Sequence, residues 1–415
     1  MSAADSRLAA AVRGRDAAAV GELLAAGSDP DALGEDGLPL LCAAVASYDV
    51  PVAEVLVAAG ADPYRRLPDG STPLLRAVDC GLVAGVTALL DGTGPVTDAA
   101  VRAELLDRAR QWHATGTLAE LRRRTGAPGP VVRVRVRDAN AFTDYEQFTL
   151  GGVTVREGHS EILGELEARF GIRTPFEELL GRALASPGPE HADWWGSFIV
   201  LCRRGDDETW GSAAALRSHP DPLRRIFAAQ LLKAVAETGP YERRALEIFL
   251  PWAVEEKDPA VLCAVLNGLT DHDTPEAEAV GLSFLAHPDP DVRCMVPYTL
   301  MLSDRLLTTP VALDAVLTLV RDEDADVRRV AGAWLAEYPD NTPEIADALA
   351  SLLGHEDQMA RVWAVHGLAQ RDDPRCVAGE RLVGPLEREE WPDTWMLDGV
   401  RRYEERLRDG SARKL

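Results

Sequence analysis

The sequence predicts an all-α protein in which two helical solenoids are joined by a small β-containing connector. The segment Ala26–Pro30 returns as Ala59–Pro63 after 33 residues, and Asp36-Gly37 returns as Asp69-Gly70 after the same interval. A looser repeat follows, in which similar helical segments open at Asp221, Asp258, Asp289, Asp324 and Asp357, at intervals of 37, 31, 35 and 33 residues. Self-similarity of this kind is typical of stacked units, because each unit buries its apolar face only against its neighbour.

The composition favours a basic or neutral protein as the partner. The 415 residues carry 67 acidic and 44 basic side chains, which gives a net charge of −23. A negative field repels both nucleic-acid phosphates and anionic membranes, so neither is expected to bind. No apolar run of about 18 residues is present, and the first five residues lack the features of a secretion signal. We therefore expect a cytoplasmic protein.

The cysteines indicate core positions rather than chemistry. The six are widely spaced, with no CxxC pair, and five of them lie in helical apolar patterns. A free thiol in such a pattern behaves as a small apolar residue. No metal and no cofactor are expected.

The first predicted domain spans residues 1–115 and consists of paired helices. Apolar residues recur at helical spacing until Gly27, which suits the left-handed conformation that ends a helix. The third unit opens with Thr72 before Pro73, an arrangement that suits a helix N-cap with proline in the first turn. A further helix is expected from about Asp98 to Trp112.

The repeated segments of this domain resemble the ankyrin repeat, DG-x-TPLH followed by LL-x-x-GADP, over roughly residues 5 to 112. Two positions depart from the pattern, since Leu41 and Leu75 replace its histidine. The resemblance implies that partners contact the turn tips, which include Tyr64, Arg65 and Arg66, and the inner helices. The alternative is that this short stack only caps the longer array behind it.

The second predicted domain, residues 116–158, consists of a linker and a small sheet. Val132, Val134 and Val136 alternate with arginines, which predicts a half-buried strand with one arginine face. Gly151-Gly152 lies between two further short apolar segments and predicts a hairpin. The arginines of segment 131–137 suit an anion or RNA. The alternative is that they pair with acidic groups of the same chain.

The third predicted domain, residues 159–415, is a helical array that ends in a capping helix. Helix starts are expected at Ser160 and at Thr174, the latter as a capping box. An arginine follows the opening aspartate after four residues in four of the five repeats, the exception being the repeat that opens at Asp258. The aspartate is expected to cap the helix and the arginine to pair with an aspartate. This recurring aspartate–arginine pattern resembles HEAT repeats of the PBS-lyase-like kind found in bacteria.

Placement within these repeats predicts one exposed aromatic stripe. Trp363 and His366 are expected to share an exposed face, and the equivalent positions in earlier repeats include Phe227, Met295 and Tyr298. This stripe is interpreted either as a groove for a partner or as a contact with the adjoining helix. Five tryptophans are predicted to be core residues: Trp194, Trp195, Trp210, Trp252 and Trp334.

No catalytic constellation is apparent. Asp271, His272 and Asp273 form the best acid–histidine cluster, but the sequence places no nucleophile near them, and no metal-ligand spacing is present. The prediction is a non-catalytic interaction scaffold without a small-molecule substrate. The main alternative is an inhibitor of a cationic toxin or nuclease, in the manner of an immunity protein. A remote alternative, a HEAT-like DNA glycosylase, requires a basic groove that this acidic array lacks.

Overall fold

The computed structural model describes residues 3–137, 144–186, 188–189, 191–270, 272, 274–300, 309–386 and 393–412. The chain forms two compact units, Met1–Thr209 and Trp210–Leu415. It is an all-α solenoid protein with one three-stranded sheet. The domain boundaries predicted after residues 115 and 158 stay a prediction.

Three helix pairs open the first unit. Gly27 follows the second helix with φ +96°, and Thr72 accepts a hydrogen bond from the amide of Leu75, so both predicted helix signals are confirmed. The turns inside the three pairs place Arg15, Tyr48 and Gly81, which are 33 residues apart, at positive φ. The six helices are α1 (Ala3–Arg13), α2 (Ala17–Ala25), α3 (Leu40–Ala46), α4 (Val50–Ala58), α5 (Pro73–Asp79) and α6 (Val83–Asp91).

The predicted helix after the pairs is present as α7 (Ala99–Thr115), which Asp98 caps. The next segment, expected to be a loose linker, instead begins as the short helix α8 (Thr117–Thr125). The arginine-rich part of that segment is helical because Glu120, buried in the first turn, binds both Arg123 and Arg124.

The sheet has the order β1-β2-β3 and is antiparallel throughout. Its strands are β1 (Val132–Arg137), β2 (Asp144–Leu150) and β3 (Val153–Arg156). The predicted hairpin is confirmed, since Gly151 and Gly152 join β2 to β3 with φ of +59° and +80°. Such paired positive angles match the twist of a two-residue hairpin. The prediction that β1 is half-buried is wrong, because Val132 and Val134 are 60% and 43% exposed at the edge of the sheet.

The first unit continues with α9 (His159–Arg169), α10 (Phe176–Ala183) and α11 (Ala192–Arg204), and α12 (Asp207–Ala215) begins at its end. Apolar residues of α9 share one core with the N-terminal helix pairs. The predicted capping box at Thr174 is wrong. Its hydroxyl donates to buried Glu167 at 2.7 Å, which also binds Arg182, so the side chain is held away from the helix start.

The second unit consists of two layers of helices. In one layer, here called the odd-helix layer, α13 (Pro222–Thr238), α15 (Pro259–Asn267), α17 (Pro290–Thr299), α19 (Ala325–Glu337), α21 (Gln358–Gln370) and α23 (Asp393–Ala412) pack in succession. The other helices are α14 (Glu242–Glu255), α16 (Pro275–Ser283), α18 (Pro310–Leu319), α20 (Pro343–Ser351) and α22 (Arg375–Val383). Of these, α14, α16 and α18 pack in succession as a second layer. A continuous apolar core, from Val296 to Tyr403, fills the later repeats.

Candidate functional site

Aspartates at the helix starts fix the geometry of the odd-helix layer. Each accepts hydrogen bonds from backbone amides of the first turn, so the predicted capping is confirmed at Asp221, Asp258, Asp289, Asp324 and Asp357. This arrangement satisfies amides that have no partner within the helix.

The arginines one turn later link neighbouring repeats. Arg225 binds Glu256 of the next repeat, and Arg293 binds Asp322 of the next repeat at 2.8 and 2.7 Å. The equivalent Arg328 and Arg361 bind backbone carbonyls before their own helix instead. The predicted pairing with an aspartate therefore holds for Arg293, whereas the other three arginines bind different acceptors.

A second regularity lies two residues before each capping aspartate, where histidine alternates with an acid. The acids Glu256 and Asp322 accept the amide of the capping residue. In the other repeats the ring nitrogen Nδ1 accepts it, at 3.0 to 3.1 Å, in His219, His287 and His355. This pattern is not among the sequence-based predictions, although His-Pro-Asp-Pro at residues 219–222 and again at 287–290 is a signal for it.

The predicted aromatic stripe is only partly exposed. Tyr298 is 41% exposed on α17, and Met295 and Trp363 are half-buried. The prediction of an exposed position is wrong for two residues, since Phe227 is fully buried and His366 is 2% exposed. His366 is buried because α23 packs on α21, where its Nδ1 donates to the carbonyl oxygen of Met396 at 3.2 Å.

Of the predicted core tryptophans, four are buried and Trp195 is half-buried. The rings of Trp334 and Tyr298 pack edge-to-face, with centroids 6.1 Å apart at an interplanar angle of 84°. Edge-to-face packing is a favoured geometry of aromatic pairs and stabilises the contact between the two rings.

Acidic side chains are exposed at the starts of two helices of the odd-helix layer. Asp291 and Asp326 are exposed in the first turns of α17 and α19. Burial, followed by the charge of Asp291, raises the pKa of Cys263 to about 12. Burial, followed by Asp324 and Asp326, raises the pKa of Cys294 to about 11. Both thiols therefore stay protonated near neutral pH, in a negative field that favours cations.

The first unit contains a pocket of about 590 Å³ between helices α3, α5, α7 and α8 and the β2–β3 hairpin. Val45, Trp112, Leu121 and Val155 supply apolar lining, and the ion pairs Arg76–Asp69 and Arg124–Asp79 supply charge of both signs. Cys42 and Cys80 also line it, and burial raises the pKa of each thiol to about 11. Neither is poised as a nucleophile.

Asp79 organises one wall of this pocket. Its carboxylate accepts hydrogen bonds from the indole N–H of Trp112 at 2.7 Å, from Arg108 at 2.6 Å and from Arg124 at 2.7 Å. The Arg124 guanidinium also lies over the Trp112 ring, 4.5 Å from its centroid. The imidazole ring of His159 stacks on the ring system of Trp112, with ring centroids 4.4 Å apart.

The turn-tip residues predicted to bind partners lie at the first unit's surface, but all three contact other residues of the chain. Tyr64 is half-buried, with its hydroxyl 3.1 Å from that of Thr93. Arg66 is exposed and forms a bidentate pair with Glu104, at 2.9 and 2.5 Å. Arg65 is exposed and donates to the carbonyl of Asp31 at 3.3 Å.

The arginines of β1 pair with acids of the neighbouring strand. Arg133 binds Glu146 at 3.0 Å, and Arg135 and Arg137 bind Asp144 at 3.2 and 2.6 Å. This geometry matches the interpretation in which the arginine cluster is balanced within the chain. These carboxylates neutralise part of the positive charge that would attract an RNA phosphate.

The acid–histidine cluster falls partly outside the described residues, since Asp271 and Asp273 are not among them. His272 is 6% exposed. Within the described residues, no group of three or more His, Cys, Asp or Glu side chains could hold a metal ion. No helix in that part of the chain is long and apolar enough to cross a membrane.

Comparison with known proteins finds a similarity for part of the second unit. Residues 246–336 and 313–383 match the family model of HEAT repeats. A solved chain in the structure of the Pds5–Scc1 complex is similar, with a TM-score of 0.34 and 12% identity over 91% of this chain and 70% of that chain. No curated protein matches the chain. Residues 246–383 of the second unit are therefore similar to HEAT repeats, which stack as a helical solenoid.

Proposed function

We propose that the chain is a non-catalytic interaction scaffold whose odd-helix layer binds a basic or neutral protein. The observation that carries the proposal is that Tyr298 is 41% exposed and packs edge-to-face against the buried ring of Trp334. Aromatic side chains that lose little conformational freedom on binding are typical anchors of protein interfaces. Met295 and Trp363, half-buried in the same helix layer, extend the proposed contact surface.

The charge around this surface favours a cationic partner. Asp291 and Asp326 are exposed in the first turns of their helices, and residues 190–415 carry 41 acidic and 25 basic side chains. Complementary charge steers the encounter and aligns the partner, whereas apolar anchors supply most of the affinity. A lysine or arginine of the partner can also lie over the Tyr298 ring.

We further propose that the three N-terminal helix pairs are ankyrin-type repeats with a second contact surface. The 33-residue period, the Asp-Gly turns and the Thr72 cap support this assignment. Tyr64, Arg65 and Arg66 stay candidates there, with Arg66 the weakest because Glu104 already binds it. We propose a cytoplasmic location because all six cysteines are free thiols.

Affinity capture from the native lysate, at about physiological salt, tests the proposal. The double substitution Tyr298→Ala with Trp363→Ala should release the specific partner, which mass spectrometry then identifies and purified components confirm. A matched control is Val254→Ala with Val311→Ala, which removes similarly exposed apolar groups from α14 and α18 in the second layer. A partner retained by the first variant and lost by the control would contradict the proposed surface.

A second candidate, an inhibitor of a cationic toxin or nuclease, is favoured by the net charge of −23. It predicts one dominant basic partner whose enzymatic activity is lost on titration with the chain. An adaptor predicts several partners whose activities persist. An activity assay of the captured protein, with and without the chain, distinguishes the two.

A further inference from the structure

The outer edge of β1 is an exposed site for strand pairing. β1 is an edge strand of the sheet, and among the described residues no other strand pairs with its outer side. On one face Val132 and Val134 are 60% and 43% exposed. Edge strands present backbone N–H and C=O groups that a further strand can bind.

The other face of β1 is cationic and also exposed. The side chains of Arg133 and Arg137 are 64% and 71% exposed, although each binds a carboxylate of β2. A guanidinium has five N–H donors, and one carboxylate contact uses only some of them. An additional carboxylate on a neighbouring strand can therefore be bound beside the existing pairs.

The alternating charges disfavour a second copy of β1 as the occupant. In an antiparallel pair, residues directly opposite each other project on the same face. A symmetric pair that aligned Val134 with its own copy would place Arg133 opposite Arg135 of the other copy, and like charges in that position are destabilising. In a strand with acidic residues at these positions, carboxylates would lie opposite the arginines, and such opposite-charge pairs are stabilising.

We propose that β1 binds an extended acidic segment of a partner protein as a fourth strand of the sheet. Main-chain hydrogen bonds along the edge supply affinity, as in other cases of strand addition. Apolar residues of the segment pack on Val132 and Val134, and the acidic residues between them face the arginines. This surface belongs to the first unit and is independent of the Tyr298 surface.

The test uses the full chain and a fluorescent acetylated hexapeptide that alternates valine and glutamate, with binding followed by anisotropy. We expect saturable binding, and no binding of the peptide in which lysine replaces glutamate. Arg133→Gln with Arg137→Gln should weaken binding at least tenfold. The matched control is Arg13→Gln, which removes an exposed ion-paired arginine elsewhere in the unit and should leave the affinity unchanged.

Two N-methylated peptides separate strand pairing from simple charge attraction. Methyl groups on alternate amides block one edge of the peptide strand or the other. Strand addition predicts that one methylated peptide loses binding at least tenfold while the other retains it. Equal binding of both would overturn the proposal, as would failure of the unmodified peptide to bind a chain whose circular dichroism is native.

Two further measurements address other occupants. Binding of a labelled single-stranded RNA in preference to the acidic peptide would overturn the proposal in favour of nucleic acid. A dimer in sedimentation velocity that Val134→Lys abolishes would overturn it in favour of a second copy of the chain. A monomer that binds the acidic peptide and not the RNA is the expected result.

Discussion

The backbone of Gly81 lies against the carbonyl group of Arg156. A β-carbon built on Gly81 would be 2.0 Å from that carbonyl oxygen, and φ at this position is +66°. The amide of Arg156 donates to the carbonyl of Cys80 at 2.9 Å, and the Tyr48 hydroxyl donates to the carbonyl of Thr154 at 2.9 Å. The turns of the second and third helix pairs thus hold β3 by its backbone.

We predict that Gly81→Ala destabilises the first unit by about 2–4 kcal/mol. The new methyl group would push β3 away from the helix pairs, and alanine at this positive φ would be strained. Urea unfolding measures the loss, and hydrogen exchange in β3 locates it. The control is Gly181→Ala, in α10, where no atom lies within 4 Å of the new β-carbon. That variant should be neutral or more stable by up to about 1 kcal/mol.

The hydrogen bonds of Asp79 give a graded prediction. Trp112→Phe keeps an aromatic ring beside His159 but removes the indole N–H, so we expect a loss of about 1–2 kcal/mol. Asp79→Ala removes one acceptor from each of Arg108, Arg124 and the indole, although Arg124 still binds Glu120, and should cost more, about 2–4 kcal/mol. Urea unfolding of both variants tests this order. A smaller effect for Asp79→Ala would contradict the central role given to the carboxylate.

The buried side chain of His159 should lower the free energy of unfolding in acid. Burial lowers its pKa to about 3, whereas the pKa of a histidine in the unfolded chain is about 6.5. Below pH 6.5 the unfolded chain therefore binds a proton that the folded chain does not, and stability falls as the pH falls towards 3. Between pH 7.5 and 5 this contribution is about 2 kcal/mol.

The measurement compares the wild type with His159→Phe, which keeps a ring stacked on Trp112 and does not titrate. The comparison is needed because Asp193 and Glu157 raise the pKa of His191 to about 9, which stabilises the fold below pH 6.5 and ceases to do so as the pH rises through 9. Hydrogen exchange in α7 and α9 should show a larger pH-dependent loss in the wild type, because burial also lowers the pKa of His113, which both proteins contain. The same loss in both proteins would assign it to other groups.

The buried ion pair Arg293–Asp322 should contribute more to the free energy of unfolding than exposed ion pairs of the odd-helix layer do. Their side chains are 8% and 11% exposed, and Arg293 holds the pKa of Asp322 below its usual range, although burial alone would raise it. Arg293→Ala leaves a buried carboxylate unpaired, at an expected cost of about 3 kcal/mol.

The control is Arg329→Ala, which breaks an exposed pair with Asp326 and should change stability by less than about 1 kcal/mol. Urea unfolding compares the two variants. Similar losses in both would show that the link between the repeats is not the source of the effect.

Local features of the fold were predictable because their causes lie within a few residues. An aspartate such as Asp324 binds amides of its own first turn, and Gly151-Gly152 adopts backbone angles that other residues adopt at a cost. The candidate site was less predictable. The sequence placed Tyr298 and His366 at equivalent positions, but only Tyr298 is exposed, because a helix thirty residues further along covers His366.

The sequence by itself determined the two repeat periods, the helix starts, the hairpin and the acidic charge, since each follows from residue type and short-range spacing. Only the tertiary structure decided that β1 lies at an exposed edge, that Asp79 binds groups from three positions far along the chain, and that α9 shares the core of the N-terminal helix pairs. Exposure and partnership depend on which surfaces meet after folding, and helical periodicity fixes the face of a residue without fixing what covers it.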